Sequence, residues 1–346
     1  MSILLLQRLV FAGAVTDGPG AMHGNVGIRS QFQFAYDELI ESETNVGMRD
    51  YSSHTFTQYV EFAPIRSLSV SLSLPIYQEK YHFRGISDME FAPTLNTGSY
   101  LNSEPSTDLE RSGFGVGGAT IGVYLYPFHN RLWEERADRG AWKLGIAYRF
   151  GAGQHFYTSS DTGNRGAGPG ASAFQFYGAF SSTNRTGSPY AEILTTSSGV
   201  WTGDIRDDDG NLLISNAELR PASSVDLRVG NEFTLWEDTA FAHFVELDLY
   251  SRFNYESWAD LPSGVLLPNT LKAYDTYVIN RSEVLRAAGG LGTNIQYNSY
   301  YHARLAVEAG YMSPQSIEHL YPISTNGTFH WGLLFEFRFR YRTTAT

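Results

Sequence analysis

From Leu333 to Arg342 the chain sets Leu333, Phe335, Phe337, Phe339 and Tyr341 on odd positions, with Glu336, Arg338, Arg340 and Arg342 between them. A β-strand turns successive side chains to opposite faces, so this period of two predicts a strand with one apolar and one charged face. The same alternation recurs upstream. Leu68, Val70, Leu72, Leu74 and Ile76 oppose Ser67, Ser69, Ser71 and Ser73, and Trp142, Leu144, Ile146, Tyr148 and Phe150 oppose Lys143, Gly145, Ala147 and Arg149. Marked along the whole chain, the pattern predicts strands at Asn25–Tyr36, His54–Phe62, Ser67–Tyr77, Phe114–Pro127, Ala141–Gly153 and Ser172–Ser182. It continues at Tyr190–Trp201, Ser224–Trp236, Ala240–Asn254, Ser282–Gln296, Tyr301–Met312 and Thr328–Thr343.

Alternation alone also suits a soluble β-sandwich. The connections separate the two. Long gaps (Asp37–Ser53, Gln78–Gly113, Gln154–Ala171, Thr202–Ser223, Tyr255–Arg281) alternate with short ones (Ala63–Arg66, Thr183–Pro189, Glu237–Thr239, Tyr297–Tyr300). Phe128–Gly140 and Ser313–Gly327 are intermediate. A membrane barrel has this asymmetry, with tight turns on one side and long loops on the other, and a Greek-key sandwich has no reason for it. The expected fold is therefore all-β: an antiparallel up-and-down transmembrane β-barrel of about 12 strands, an even number as such barrels require. Residues 23–346 form one domain on this reading.

Composition agrees. Charged residues are 18% and aromatics 14%, and no run of 18 apolar residues predicts a membrane helix. With no cysteine, disulfide frameworks and thiolate metal sites are excluded. A net charge of −11 argues against nucleic acid as a partner. No cofactor is expected. Residues 1–22 read as a truncated export signal, Ile3–Leu6 and Leu9–Ala14 being interrupted by Gln7 and Arg8, or as a plain N-terminal tail.

The inward charges carry the candidate chemistry. Arg29, Lys143, Arg149, Arg228, Arg252, Arg304, Arg338 and Arg340 fall on polar faces, as do Glu232, Glu246, Asp248, Glu308 and Glu336. They are the expected lumen lining. Arg228 should lie across from Glu246 and Asp248, and closure of the last strand on the first should bring Arg338 and Arg340 toward Arg29. Two readings need the same residues: a mixed-charge constriction that selects small solutes, and a salt-bridged plug that holds the interior shut.

Other motifs carry less. Asp207-Asp208-Asp209-Gly210-Asn211 fails the calcium-loop spacing, because Ile205 and Asn216 would stand at its first and last ligand positions. Gly113–Gly118 lacks the Lys-Ser/Thr of a phosphate loop and suits curvature or bulging at a barrel rim. Neither a Gly-x-Ser-x-Gly elbow nor a His-Glu-x-x-His pair is present, so no enzyme is expected. Acids at Glu79, Asp88, Glu90, Glu104, Asp108, Glu110, Asp204 and Asp207–Asp209 fall at or near the long loops. They would form a solvated rim, able to bridge divalent cations to lipopolysaccharide.

Tyr59-Val60-Glu61-Phe62-Ala63-Pro64-Ile65-Arg66-Ser67-Leu68-Ser69-Val70-Ser71-Leu72-Ser73-Leu74-Pro75, followed by Gly115–Tyr126, Trp142–Gly153 and Gly170–Phe180, resembles the outer-membrane transporters grouped as the MetA-pathway of phenol degradation family. These are distant relatives of the FadL fatty-acid channels. The resemblance implies a bacterial outer-membrane barrel passing small, hydrophobic or aromatic solutes. Its partners would be outer-membrane lipid, lipopolysaccharide, the solute and, during biogenesis, the barrel-assembly machinery. The short stretch before the first strand departs from the hatch domain of FadL proteins. Gly332 and the closing aromatics resemble a barrel-assembly signal, although the chain ends in Thr343-Thr344-Ala345-Thr346. The rival from another class is a non-conducting structural barrel with interacting loops.

Overall fold

The computed structural model describes residues 25–39, 47–65, 67–84, 109–127, 141–151, 171–182, 187–206, 212–220, 223–238, 240–255, 257–260, 276–279, 282–297, 301–313, 316–317, 323–324 and 327–342. The strands are β1 (Asn25–Leu39), β2 (Gly47–Ile65), β3 (Leu68–Arg84), β4 (Leu109–Val116), β5 (Thr120–Leu125), β6 (Ala141–Arg149), β7 (Ala173–Ser181) and β8 (Ser188–Ser198). Then follow β9 (Trp201–Arg206), β10 (Leu212–Arg220), β11 (Ser224–Glu237), β12 (Phe241–Asn254), β13 (Ser257–Asp260) and β14 (Thr276–Ile279). The last are β15 (Ser282–Gln296), β16 (Tyr301–Met312), β17 (Ser316–Ile317), β18 (Ile323–Ser324) and β19 (Thr328–Arg342).

The barrel closes where the chain ends meet. β1 pairs with β19 along its whole length, Asn25 opposite Arg342 and Leu39 opposite Thr328, and with β2 on its other edge. Going round, the wall runs β1, β2, β3, β4 with β5, β6, β7, β8, β11, β12, β15, β16 and β19, every pair antiparallel. β4 and β5 lie end to end on the same edge of β3, so they count as one wall strand, and the barrel has 12. Each strand of the wall overlaps one of the segments predicted from alternation, with ends that differ by up to several residues.

The join between β4 and β5 is a bulge. Val116 pairs with Ile76 and Thr120 with Ser73, so one extra residue is accommodated across Gly117–Ala119. Gly117 N donates to Pro75 O at 2.8 Å and Phe150 N to Ala119 O at 2.9 Å, which keeps the ladder satisfied on both sides. The glycines singled out in the sequence fall here.

Polarity is inverted relative to a soluble sheet. The apolar faces point outward and are exposed: Leu72 48%, Ile146 58%, Phe176 57%, Leu291 61% and Phe335 49%. Two aromatic belts bound this band. Trp142 packs on Phe180 and Tyr301 on Phe339 near the short turns, while Tyr148, Phe150 and Phe174 cluster toward the long connections. Phe34 against Trp331 continues the upper belt. At ~3.3 Å per residue and a tilt near 40°, the stretch from Trp142 to Phe150 spans roughly 20 Å, close to the apolar band of an outer-membrane barrel.

The long connections are not all plain loops, as the sequence reading had them. β9, β10, β13 and β14 build a second, four-stranded antiparallel sheet from Thr202–Ser223 and Tyr255–Arg281. The strands are short and irregular, with a bulge near Asn216 at φ 55°, and so lack the clean period that betrays a wall strand. β17 and β18 form a further short hairpin. The Asp207–Asn211 turn, most of the acidic rim and residues 1–22 lie outside the described residues. At the opposite end the β11–β12 turn is fixed by Asp238, whose Oδ1 accepts from Ala240 N at 2.7 Å and Phe241 N at 3.0 Å. Those two donors hold its carboxyl below the ordinary aspartate range.

Leu247 sits midway between Phe241 and Phe253 on the outer face of β12 and is 55% exposed. Leu247→Arg should destabilise the barrel by about 2–4 kcal/mol, and Ser251→Arg, nearer the rim, by about 0–1 kcal/mol. Reversible guanidinium unfolding in lipid vesicles measures both.

Candidate functional site

The inner face is where the charges go, and most of them meet. On β11, β12, β15, β16 and β19 acids and bases alternate in an unbroken series. Arg304 reaches Glu232 at 2.8 Å and Glu246 at 3.0 Å. Glu246 also holds Arg228 at 3.3 Å, and Arg228 bonds Asp248 at 2.7 Å. Asp248 lies 3.5 Å from Arg286, which lies 3.5 Å from Glu308, and Glu308 meets His330 at 3.0 Å. Glu232, Asp248 and His330 are buried although they face the barrel interior.

This ladder depends on small residues. Glu232 and Arg304 stand three strands apart, with neighbouring strands about 4.8 Å from one another. Between them β15 offers Gly290 beside Glu246 and Gly292 beside Phe244, so nothing on that strand blocks Arg304. A Cβ on Gly292 would collide with the Phe244 ring, over which the Arg304 guanidinium sits at 4.1 Å. Asn294 completes the knot, accepting from Arg304 and donating to Glu232, both at 3.3 Å.

A second group lies at the seam. Arg29 is in register with Arg338 across β1–β19 and with Tyr59 across β1–β2. Glu336 relieves the like charges: Arg338 Nε donates to it, and Arg29 lies 3.8 Å away with its guanidinium 3.9 Å over the Tyr59 ring. Arg340 is in register with Gly27 across β1–β19, and its side chain lies outside the described residues. Arg252 pairs with Asp226 at 2.5 Å, joined by Tyr250 and Ser224.

The wall from β2 to β8 is different in kind. Lys143 stands 4.3 Å over the Tyr124 ring and within 5.8 Å of Tyr126 and Tyr177. Tyr124 itself lies flat against Gly122 and Gly145, where any Cβ would strike its ring. Glu61, buried, accepts from Ser69 and, at 3.0 Å, from Tyr126. Arg149 stands apart in having no ion pair among the described residues; its Nε, like those of Arg29, Arg286 and Arg304, is buried without a hydrogen-bond partner.

Of the sequence candidates, Glu232, Glu246, Asp248, Arg228, Arg304 and Glu308 fall in the ladder, and Arg29, Glu336 and Arg338 at the seam. Lys143, Arg149 and Arg252 lie elsewhere on the inner wall. Arg286, His330, Asp226, Glu61 and Glu192 share that wall and were missed as candidates. Arg286 hides in Arg286-Ala-Ala-Gly-Gly, where neither face is marked. The flanking Leu285 and Leu291, both outward, would have given its parity. His330 is on the same parity as Glu336 and Arg338, which would have placed it on the inner face.

The closed wall, apolar outside and charged inside, is that of an outer-membrane β-barrel. Structure comparison agrees at the level of fold. An outer-membrane channel from Pseudomonas putida F1 superposes with a TM-score of 0.55 at 12% identity, covering 95% of this chain and 98% of that one. The transport unit of the autotransporter AIDA-I from Escherichia coli gives 0.46 at 10% identity, covering 91% and 90%. The toluene transporter TodX from P. putida gives 0.41 at 11%, covering 92% and 90%. No protein-family description matches the chain, and no curated protein matches it either.

Arg304 binds two acids from a side chain that is 9% exposed. Arg304→Met should cost about 3–5 kcal/mol, since buried Glu232 loses its cation and Glu246 keeps only Arg228. Adding Glu232→Gln and Glu246→Gln should restore a large part of that loss. A double-mutant cycle by guanidinium unfolding reads the coupling.

Proposed function

We propose that this protein is a passive outer-membrane channel for small solutes. The observation that carries the reading is a single closed wall of 12 strands whose inner face is charged and whose outer face is apolar. A barrel of eight strands is filled by its own side chains and one of sixteen is open, so twelve leaves room for a narrow path. Along that path the ladder and the Arg29–Glu336–Arg338 group act as a mixed-charge constriction that admits solutes by size and polarity. The tyrosines of β2–β8 offer ring faces and hydroxyls to the same path, which suits the aromatic solutes implied by the sequence resemblance. Outer-membrane lipid and lipopolysaccharide surround the barrel, and the barrel-assembly machinery inserts it.

A second reading rests on the burial of Glu232, Asp248, Glu336 and His330. Such tightly paired charges also suit a braced, non-conducting barrel whose loops make surface contacts. Planar bilayers decide between them. The channel reading expects discrete conductance steps and solute-dependent swelling of liposomes; silence in both assays leaves the braced barrel. With steps present, Arg29→Ala combined with Arg338→Ala should shift the cation-to-anion permeability ratio about twofold or more toward cations, two positive charges having left the constriction.

A further inference from the structure

We propose that Arg149 is the anchor of an anion-binding station on the β3–β7 side of the lumen, suited to small carboxylates. This rests on the channel reading and adds a place where a solute is held.

The charges on the inner wall set Arg149 apart. Among the described side chains the cations Arg228, Arg252, Arg286, Arg304 and Arg338 each bond a carboxylate, and Arg29 lies within 4 Å of one. Lys143 is seated over tyrosine rings. Arg149 has no acid within ion-pair distance among the described residues, and its Nε, like those of Arg29, Arg286 and Arg304, is buried without an acceptor. A guanidinium fork aligned with nothing is a standing offer to a planar oxyanion, which takes two parallel N–H bonds. A carboxylate arriving at the ladder finds arginines that already hold acids; at Arg149 it meets a guanidinium with no acid partner among the described residues.

Local structure builds the rest of the station. The β4–β5 bulge places Gly117 and Gly118 between two side chains. A Cβ on Gly117 would strike the Tyr77 ring, and one on Gly118 would strike the Phe150 carbonyl oxygen, with Arg149 Cγ beside it at 3.1 Å. Tyr77 and Arg149 are thus seated on adjacent glycines. Thr120 stands opposite Arg149 in the ladder, and Gln175 pairs with Ala147, one inner position below. A hydroxyl and an amide therefore flank the cation with hydrogen-bonding capacity for a polar solute. The residues that would ordinarily crowd such a site are small: Gly117, Gly118, Ala147 and Ala173.

Two measurements test this, and they fail separately from the channel reading. Arginine labelling with phenylglyoxal, read by mass spectrometry on the folded protein in detergent, needs no conductance and no variant. Arg149 should label, and sodium acetate at twice its dissociation constant should slow that labelling about threefold by mass action. Arg228 and Arg304, held by their acids, should show no acetate effect. Failure of Arg149 to label, or labelling indifferent to acetate, overturns the proposal. In planar bilayers Arg149→Gln should lower the anion-to-cation permeability ratio about twofold or more, while Arg149→Lys keeps it. Lys80→Gln, which removes the same charge from the outer face of β3, should leave it unchanged. An unaltered ratio in Arg149→Gln with conductance steps intact also overturns it. Acetate protection in a protein that shows no steps would uphold the station and sink the channel.

Discussion

Everything in this molecule follows from the need to pair every backbone amide in a medium without water. A sheet in lipid cannot present an edge, because each unpaired N–H or C=O there costs several kcal/mol. The chain meets that demand by joining its first and last strands over their full length, Asn25 to Arg342 through Leu39 to Thr328. Even the irregular places obey it. Where β4 gives way to β5, Gly117 and Phe150 still donate into the ladder. Once the sheet is a closed cylinder, the period of two leaves only two environments, and the sequence divides between them.

The inner environment sets its own problem. Charges lifted away from bulk water must find each other. Among the described inner side chains, Arg29, Lys143, Arg149, Arg228, Arg252, Arg286, Arg304 and Arg338 are matched in number by Glu61, Glu192, Asp226, Glu232, Glu246, Asp248, Glu308 and Glu336. The match is global rather than local. It is tight on β11–β19, where Ala288, Gly290 and Gly292 leave room for long side chains to cross strands, and loose on β3–β7. That unevenness distinguishes a densely paired side of the lumen from a sparsely paired one.

The wall was legible in the sequence because its signal is simple. Leu68–Ile76 and Trp142–Phe150 state which face meets lipid, and the loop rhythm states how the strands connect. The conjunction of Arg228 with Glu246 and Asp248 was legible too, since register in a hairpin follows from its turn. What escaped were features whose physics is not periodic. Arg286 lies in a run of small residues that marks neither face. The reach of Arg304 to Glu232 spans strands that no hairpin joins. The β9–β10–β13–β14 sheet is made of short pieces far apart in sequence, with no lipid face to pattern them.

The ring of Tyr124 lies on Gly122 and Gly145, and Tyr190 lies in the same way on Gly230. A methyl group beneath either ring has nowhere to go, so the ring would lift toward the axis. The width of the lumen at these tyrosines is therefore set from beneath by glycines. Two barrels with identical tyrosines and identical charges could differ in calibre through those positions alone. Substitutions at the least conspicuous residue type would then change the width of the lumen, while leaving every charged and aromatic side chain that lines it in place.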